Sequence, residues 1–210
     1  MPVSALPSRV GAGELGESAF HFIELLKKKH VRIWQILPLN PVGYGNSPYQ
    51  PYSSCAGDDI YISLDTLAEE GLLKKSPMLF LEKCKKVDYE RVRQYREPYL
   101  RAAFMAFVEQ KGYEKPEYKE FAAQSWVYEY GVFRALKKAN NGACWNEWPE
   151  EDRTWPENRH VLDTEVEAEA RYQMFLQYIF YTQWMKVKKA ANDAGIQIMG
   201  DVPFYVGQDS

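Results

Sequence analysis

Residues 31–57 read VRIWQILPLNPVGYGNSPYQPYSSCAG. The first part, Val31 to Leu39, is apolar at alternating and adjacent positions alike, the pattern of a parallel strand covered by helices on both faces. At Gly43 the character changes. Of the fifteen residues in GYGNSPYQPYSSCAG (43–57), five are Gly or Pro and three are Tyr, and most of the rest are small and polar. A chain that leaves a buried strand and places so many rigid, aromatic and turn-forming residues on one loop is positioning side chains. It does so at a strand's C-terminal end, where sites in barrels and open α/β sheets lie. The fold class that follows is α/β.

Upstream, ELGESAFHFIELLKKK (14–29) sets Leu15, Ala19, Phe22, Ile23 and Leu26 on one face, with acidic residues early and lysines late. That pattern predicts a helix aligned with its own dipole. Downstream, DIYISL reads as a short strand-like or extended piece, and DTLAEEGLL as a short helix with Asp65 as its cap. From Asp88 to about Asn141 the pattern is helical, with interruptions expected at Pro98 and around Gly112 to Pro116. A Trp- and Pro-rich connector, CWNEWPEEDRTWPENR (144–159), leads into a long amphipathic helix that Gly195 stops at the C-terminal cap position. IQIMGDVPFYV then reads as a second buried strand, parallel to the first, with Asp201 near its C-terminal end. A carboxylate there must be paired or hydrogen-bonded, which marks it as a candidate site residue facing the same cleft as the 43–57 loop.

The balance of charge excludes several classes. The 26 basic and 29 acidic residues are interspersed, and the longest pure basic run is Lys27 to Lys29, so nucleic acid is not an expected partner. No apolar run approaches the roughly 18 residues of a membrane helix, and MPVSALPSRV has no signal-peptide pattern. Cys55, Cys84 and Cys144 form no CxxC, which fits reduced thiols in a cytoplasmic protein. His21, His30 and His160 have no ligand spacing, so no metal is expected. GAGELG (11–16) matches G-x-G-x-x-G formally, but a poor strand precedes it and no carboxylate occurs from Val31 to Val42 to hold a ribose. It reads instead as a flexible helix entry. Aromatics make up 15% of the chain, with fifteen Tyr and six Trp. An aromatic-rich core and a sugar-binding surface, where rings pack on pyranose faces, both account for that number.

WQILPLNPVGYGNSPYQPYSSCAG and IQIMGDVPFYVGQDS, with GLL (71–73), WNEWP (145–149) and FLQYIFYTQWMKVKKAANDAGI between them, resemble the 4-α-glucanotransferases known as amylomaltases or disproportionating enzymes. The resemblance runs over essentially the whole chain. It implies the N-terminal part of a (β/α)8 TIM barrel with a large helical insertion after the second strand. On that reading residues 1–64 start the catalytic barrel and carry the substrate loop 40–57. Residues 65–160 form the helical insertion, and 161–210 form the long helix and third barrel strand, with the barrel incomplete at Ser210.

The implied activity is transfer of α-1,4-linked glucosyl segments between maltooligosaccharides or other α-glucans by a retaining mechanism, without cofactor. The implied substrate contacts are Tyr44, Ser47, Tyr49 and Asp201. Tyr49 stacks near the reacting glucose with Ser47 beside it, Tyr44 binds glucan further out, and Asp201 bonds substrate hydroxyls. The nucleophile and acid/base are expected beyond Ser210, so the 210-residue chain alone is expected to be inactive. Gln208 stands where the family has a His, and no His role passes to it. A hydrolase on the same barrel and a non-catalytic glucan-binding or structural module are the rival readings, and the oligomeric state is left open.

Overall fold

The computed structural model describes residues 1–74, 86–205 and 207–210. Cys84 lies outside the described residues. Two strands, β1 (Ile33–Gln35) and β2 (Gln197–Met199), pair in parallel with Ile33 opposite Gln197, Trp34 opposite Ile198 and Gln35 opposite Met199. Bonds from Gln197 N–H to Arg32 C=O (2.8 Å) and from Ile36 N–H to Met199 C=O (2.9 Å) carry the pairing past both ends. Around them run α1 (Glu17–Lys28), α2 (Leu64–Glu69), α3 (Tyr89–Glu109), α4 (Pro116–Ala122), α5 (Ser125–Ala139), the single turns α6 (Glu150–Arg153) and α7 (Trp155–Asn158), and the 30-residue α8 (Thr164–Asp193). The arrangement is α/β.

The expected two-faced burial of the strands does not hold. Trp34 is buried and its indole N–H reaches Met1 C=O at 2.8 Å, with the Phe22 ring edge-on at 5.1 Å. Its neighbours Ile33 and Gln35 point the other way and are exposed, as is Met199 on β2. Helices α1 and α8 cover one side of this pair, and among the described residues nothing packs on the other. The second strand is also far shorter than IQIMGDVPFYV implied. Past Met199 the chain leaves the ladder, Pro203 has no N–H to contribute, and Val202, Phe204 and Tyr205 stand out into solvent.

Four local expectations are corrected. Ser63, not Asp65, caps α2, its hydroxyl accepting from Thr66 N–H at 3.2 Å, while Asp65 pairs with Arg9 at 2.6 Å. Pro98 does not interrupt α3: it costs one backbone bond, and burial of Val92, Leu100, Ala103 and Phe107 along the helix outweighs that loss. The segment DIYISL opens in a 3-10 turn over Asp59–Tyr61 rather than a strand. The GAGELG entry is packed rather than flexible, because Glu14 is buried against Arg96, with Arg96 Nη1 donating to Glu14 Oε1 at 2.8 Å. The end of α8 is as read: Gly195 takes the left-handed φ of 75° that a C-terminal cap requires, and Ile196 N–H returns to Ala191 C=O at 2.9 Å.

The main core joins α1, Trp34, the 60–67 segment, α3 and the inner face of α8 through Phe175, Leu176 and Ile179. A smaller cluster of Val132, Leu136, Trp148 and Trp155 seals the aromatic connector onto α5.

Candidate functional site

The loop after β1 is held at its base before it reaches out. Val42 and Pro51 form an antiparallel bridge, Gly43 N–H donates to Gln50 C=O (3.3 Å) and Tyr52 N–H to Pro41 C=O (2.9 Å). Its tip turns through Gly45 and Asn46, both at positive φ, which Gly and Asn tolerate best. Below the loop, the buried Asp58 carboxylate accepts from Val42 N–H (3.2 Å), Ile60 N–H (3.0 Å) and both ends of the Arg93 guanidinium (2.9 and 2.7 Å). Burial alone would push this carboxyl up, yet Arg93 and the two backbone donors hold it below the usual carboxylate range.

From α8, the Gln177 amide accepts from Gly57 N–H (2.8 Å) and donates to Gly57 C=O (2.9 Å). Gln183 does the same at Ser63 (2.7 and 3.2 Å). The approach at Gly57 is close, since a Cβ there would sit 2.1 Å from the Phe180 ring.

These anchors bring together two of the four expected site residues. Tyr49 O–H donates to Asp201 Oδ2 at 2.9 Å, across 152 positions of sequence. The other carboxylate oxygen of Asp201 accepts from Val202 N–H at 2.9 Å. The hydrogen bond from Tyr49 to Asp201 raises the phenol above its ordinary value. The Tyr49 ring lies 5.4 Å from that of Phe204, which lies 4.6 Å from Tyr205. The result is an exposed carboxylate beside a short row of aromatic rings at the C-terminal ends of both strands.

Ser47 plays a different part. Its hydroxyl accepts from Tyr49 N–H (3.3 Å) and its C=O from Gln50 N–H (3.2 Å), so it shapes the turn that presents Tyr49. The backbone of Tyr44 opens the 3-10 turn Tyr44–Asn46, and its side chain lies outside the described residues. Asp201 also borders an open cavity of about 320 Å³ between the strand ends and α8, walled by Leu39, Trp126, Phe180, Tyr181 and Trp184.

Sequence reasoning missed Phe204, Asp58, Arg93 and the two glutamines. Phe204 was hidden in an apolar run that reads as strand, while a buried Gln or Asp on a helix or turn carries no local signature of its distant partner. Among the described residues no group of three or more His, Cys, Asp or Glu could hold a metal, and no helix is long and apolar enough to cross a membrane. Cys55 and Cys144 are free thiols.

A family profile described as 4-alpha-glucanotransferase matches residues 1–210. The 4-alpha-glucanotransferase of Synechocystis sp. is 40% identical over 223 residues, spanning 99% of this chain and 42% of its own length. That of Thermus thermophilus is 38% identical, over 99% of this chain and 42% of its own length. Among solved structures, the amylomaltase from Streptococcus agalactiae in complex with acarbose superposes with a TM-score of 0.92 at 32% identity, over 100% of this chain and 43% of that one. The amylomaltase from Corynebacterium glutamicum, 17% identical with a TM-score of 0.67, shares the fold. The chain thus spans about two fifths of the length of the curated relatives it matches. With a match from its first residue to its last, the chain belongs to the 4-alpha-glucanotransferase family.

Proposed function

We propose that the protein carrying this chain transfers α-1,4-linked glucosyl segments from one maltooligosaccharide or α-glucan to the 4-hydroxyl of another, with retention of configuration. β1 and β2 are read as adjacent strands of a (β/α)8 barrel. Residues 1–64 begin that barrel, 65–160 are inserted helices, and 161–210 return to it. The observation that carries the reading, beyond family membership, is the Tyr49 O–H to Asp201 bond at 2.9 Å beside the Phe204 ring. A carboxylate held by a phenol next to aromatic faces suits a pyranose, whose C–H face packs on rings while its hydroxyls donate to the carboxylate.

In this reading Asp201 accepts from substrate hydroxyls, Tyr49 packs against the sugar and orients Asp201, Ser47 holds the turn within the cleft, and Tyr44 contacts glucan further out. Retaining transfer needs a nucleophilic carboxylate and an acid/base carboxyl roughly 5–5.5 Å apart on the two sides of the scissile bond. Neither role falls to these four residues. The leaving sugar takes a proton from the acid/base, and an incoming 4-hydroxyl displaces the covalent glycosyl group while returning its proton to the same carboxyl. Three widely spaced cysteines without a CxxC fit a reducing compartment, and we place the protein in the cytoplasm. Incubating the full-length protein with maltotriose tests the activity. Glucose together with oligosaccharides longer than maltotriose is expected, and hydrolysis products alone would overturn the transfer reading.

A further inference from the structure

A second cavity, of about 310 Å³, lies between α3, α5 and α8, and neither Tyr49 nor Asp201 lines it. Six cations line it: Arg93, Arg96, Arg101, Arg134, Lys137 and Lys138. Three carboxylates share the lining, and each is already engaged. Asp59 accepts from Arg93 (2.7 Å), Glu97 from Arg101 (2.7 Å), and Glu169 from Arg101 and Lys138 (both 2.7 Å). Outside the lining, Glu14 takes Arg96 and Asp209 takes Lys137.

Arg134 is the exception. It is partly buried and, among the described residues, forms no ion pair. Its guanidinium makes one long hydrogen bond, to the Tyr130 hydroxyl at 3.4 Å, and lies 5.6 Å from the Tyr52 ring. Arg96, on the same cavity wall, is 1% exposed, and its Nε–H has no hydrogen-bond partner among the described residues. A buried guanidinium donor without an acceptor is costly and calls for one. One buried donor without an acceptor and one guanidinium held by a single long hydrogen bond, on a cavity wall whose lining carboxylates are all engaged, leave room for an acceptor from outside.

We propose that this cavity binds a phosphate-class oxyanion, with Arg134 as its main ligand. A guanidinium fork matches two oxygens of such an anion. The Lys137 ammonium, 5.0 Å from the Tyr52 ring, adds positive charge on the same side. The cavity exceeds the size of an inorganic phosphate, and Tyr52 offers an aromatic wall to a sugar attached to it, so the phosphate comes either free or as a sugar phosphomonoester.

The test is calorimetric titration of the full-length protein with inorganic phosphate at pH 7.5, with ionic strength held constant by KCl. Saturable binding is expected, weakened about tenfold or more by Arg134→Gln. Arg134→Lys should give a smaller loss, because the charge remains and the fork is gone. Maltotriose turnover without phosphate should not change in either variant. A parallel titration with glucose 1-phosphate separates the sources: tighter binding than phosphate assigns a sugar phosphate, equal binding assigns the free anion. Heats no larger than the KCl control, or phosphate affinity unchanged in both Arg134→Gln and Arg134→Lys, would overturn the proposal. If the Gln variant does not fold, unchanged affinity in the Lys variant overturns it alone.

Discussion

Replacing Gln177 with Leu removes the brace between α8 and the root of the 43–57 loop while nearly conserving volume. Gln177 is 3% exposed and satisfies both backbone polar groups of buried Gly57, at 2.8 and 2.9 Å. The variant leaves a buried N–H and a buried C=O without partners, and each costs about 1–3 kcal/mol. Leucine recovers roughly 1 kcal/mol through its added apolar burial. The net loss is therefore about 1–5 kcal/mol, which lowers the thermal midpoint of a chain this long by roughly 2–12 °C.

Water cannot easily substitute, since the Phe180 ring closes on Gly57 from the same helix face, three residues along. Urea denaturation gives the free energy, and hydrogen exchange at the Gly57 amide reports the brace directly. Gln177→Glu is a sharper probe. It keeps an acceptor for the Gly57 N–H but sets a buried carboxylate against the Gly57 carbonyl, so its folded-state pKa lies above the unfolded one. The sign follows: this variant should be most stable below the ordinary Glu range and lose stability as pH rises through the elevated value. A Leu variant within about 0.5 kcal/mol of the parent, with unchanged exchange at Gly57, would refute the brace.

Three further outcomes are expected of the full-length protein. Asp201→Asn should lower kcat/KM on maltooligosaccharides about 10²-fold while leaving the melting point unchanged, because the side chain is exposed and carries no core contact; a depressed melting point with normal kinetics would make Asp201 structural. Tyr49→Ala should reduce kcat/KM roughly 10- to 100-fold, and Tyr49→Phe should retain most of the activity because the ring contact with Phe204 survives; equal damage from both would move the role to the hydroxyl on Asp201. For Glu169, burial opposes ionisation, but bonds from Lys138, Gln173 and Arg101 hold its pKa below the ordinary value for a glutamate. Its stabilising contribution is present above that value and is lost as pH falls through the depressed one, so Glu169→Gln should flatten the acid limb of a stability-versus-pH curve.

What the sequence revealed follows the reach of each signal. The amphipathic helices α1, α5 and α8 and the cap at Gly195 were legible because periodicity and capping are local. The parallel pairing of the two strands was legible from the helical stretch between them. The fate of DIYISL was not. Gly57, just before it, and Ser63, within it, are tied to Gln177 and Gln183, whose positions on a helix are about 9 Å apart along the axis. A fully extended run of six residues spans about 20 Å, and the chain between these ties contains a 3-10 turn instead. No window of sequence contains that constraint. In the site, Tyr49 and Asp201 stood out through turn chemistry and an unexpected carboxylate. The second role of Tyr49, as donor to that carboxylate, depends on a contact across 152 residues. The cationic cavity was illegible for the same reason, since its six cations come from two helices, α3 and α5, whose sequences show only ordinary mixed surfaces.

Both glutamine braces join residues separated by 120 positions, Gly57 to Gln177 and Ser63 to Gln183. During synthesis the loop root is made long before the helix that clamps it. At about 5–20 residues per second on the ribosome, that interval is roughly 6–24 s. For that time the nascent Tyr-rich loop has its own turns but no distant clamp, with the backbone of Gly57 and Ser63 open to water, chaperones and proteases. The order of manufacture thus makes α8 the element whose arrival closes the site, and slow codons placed before it would lengthen the vulnerable window without altering a single residue of the finished protein.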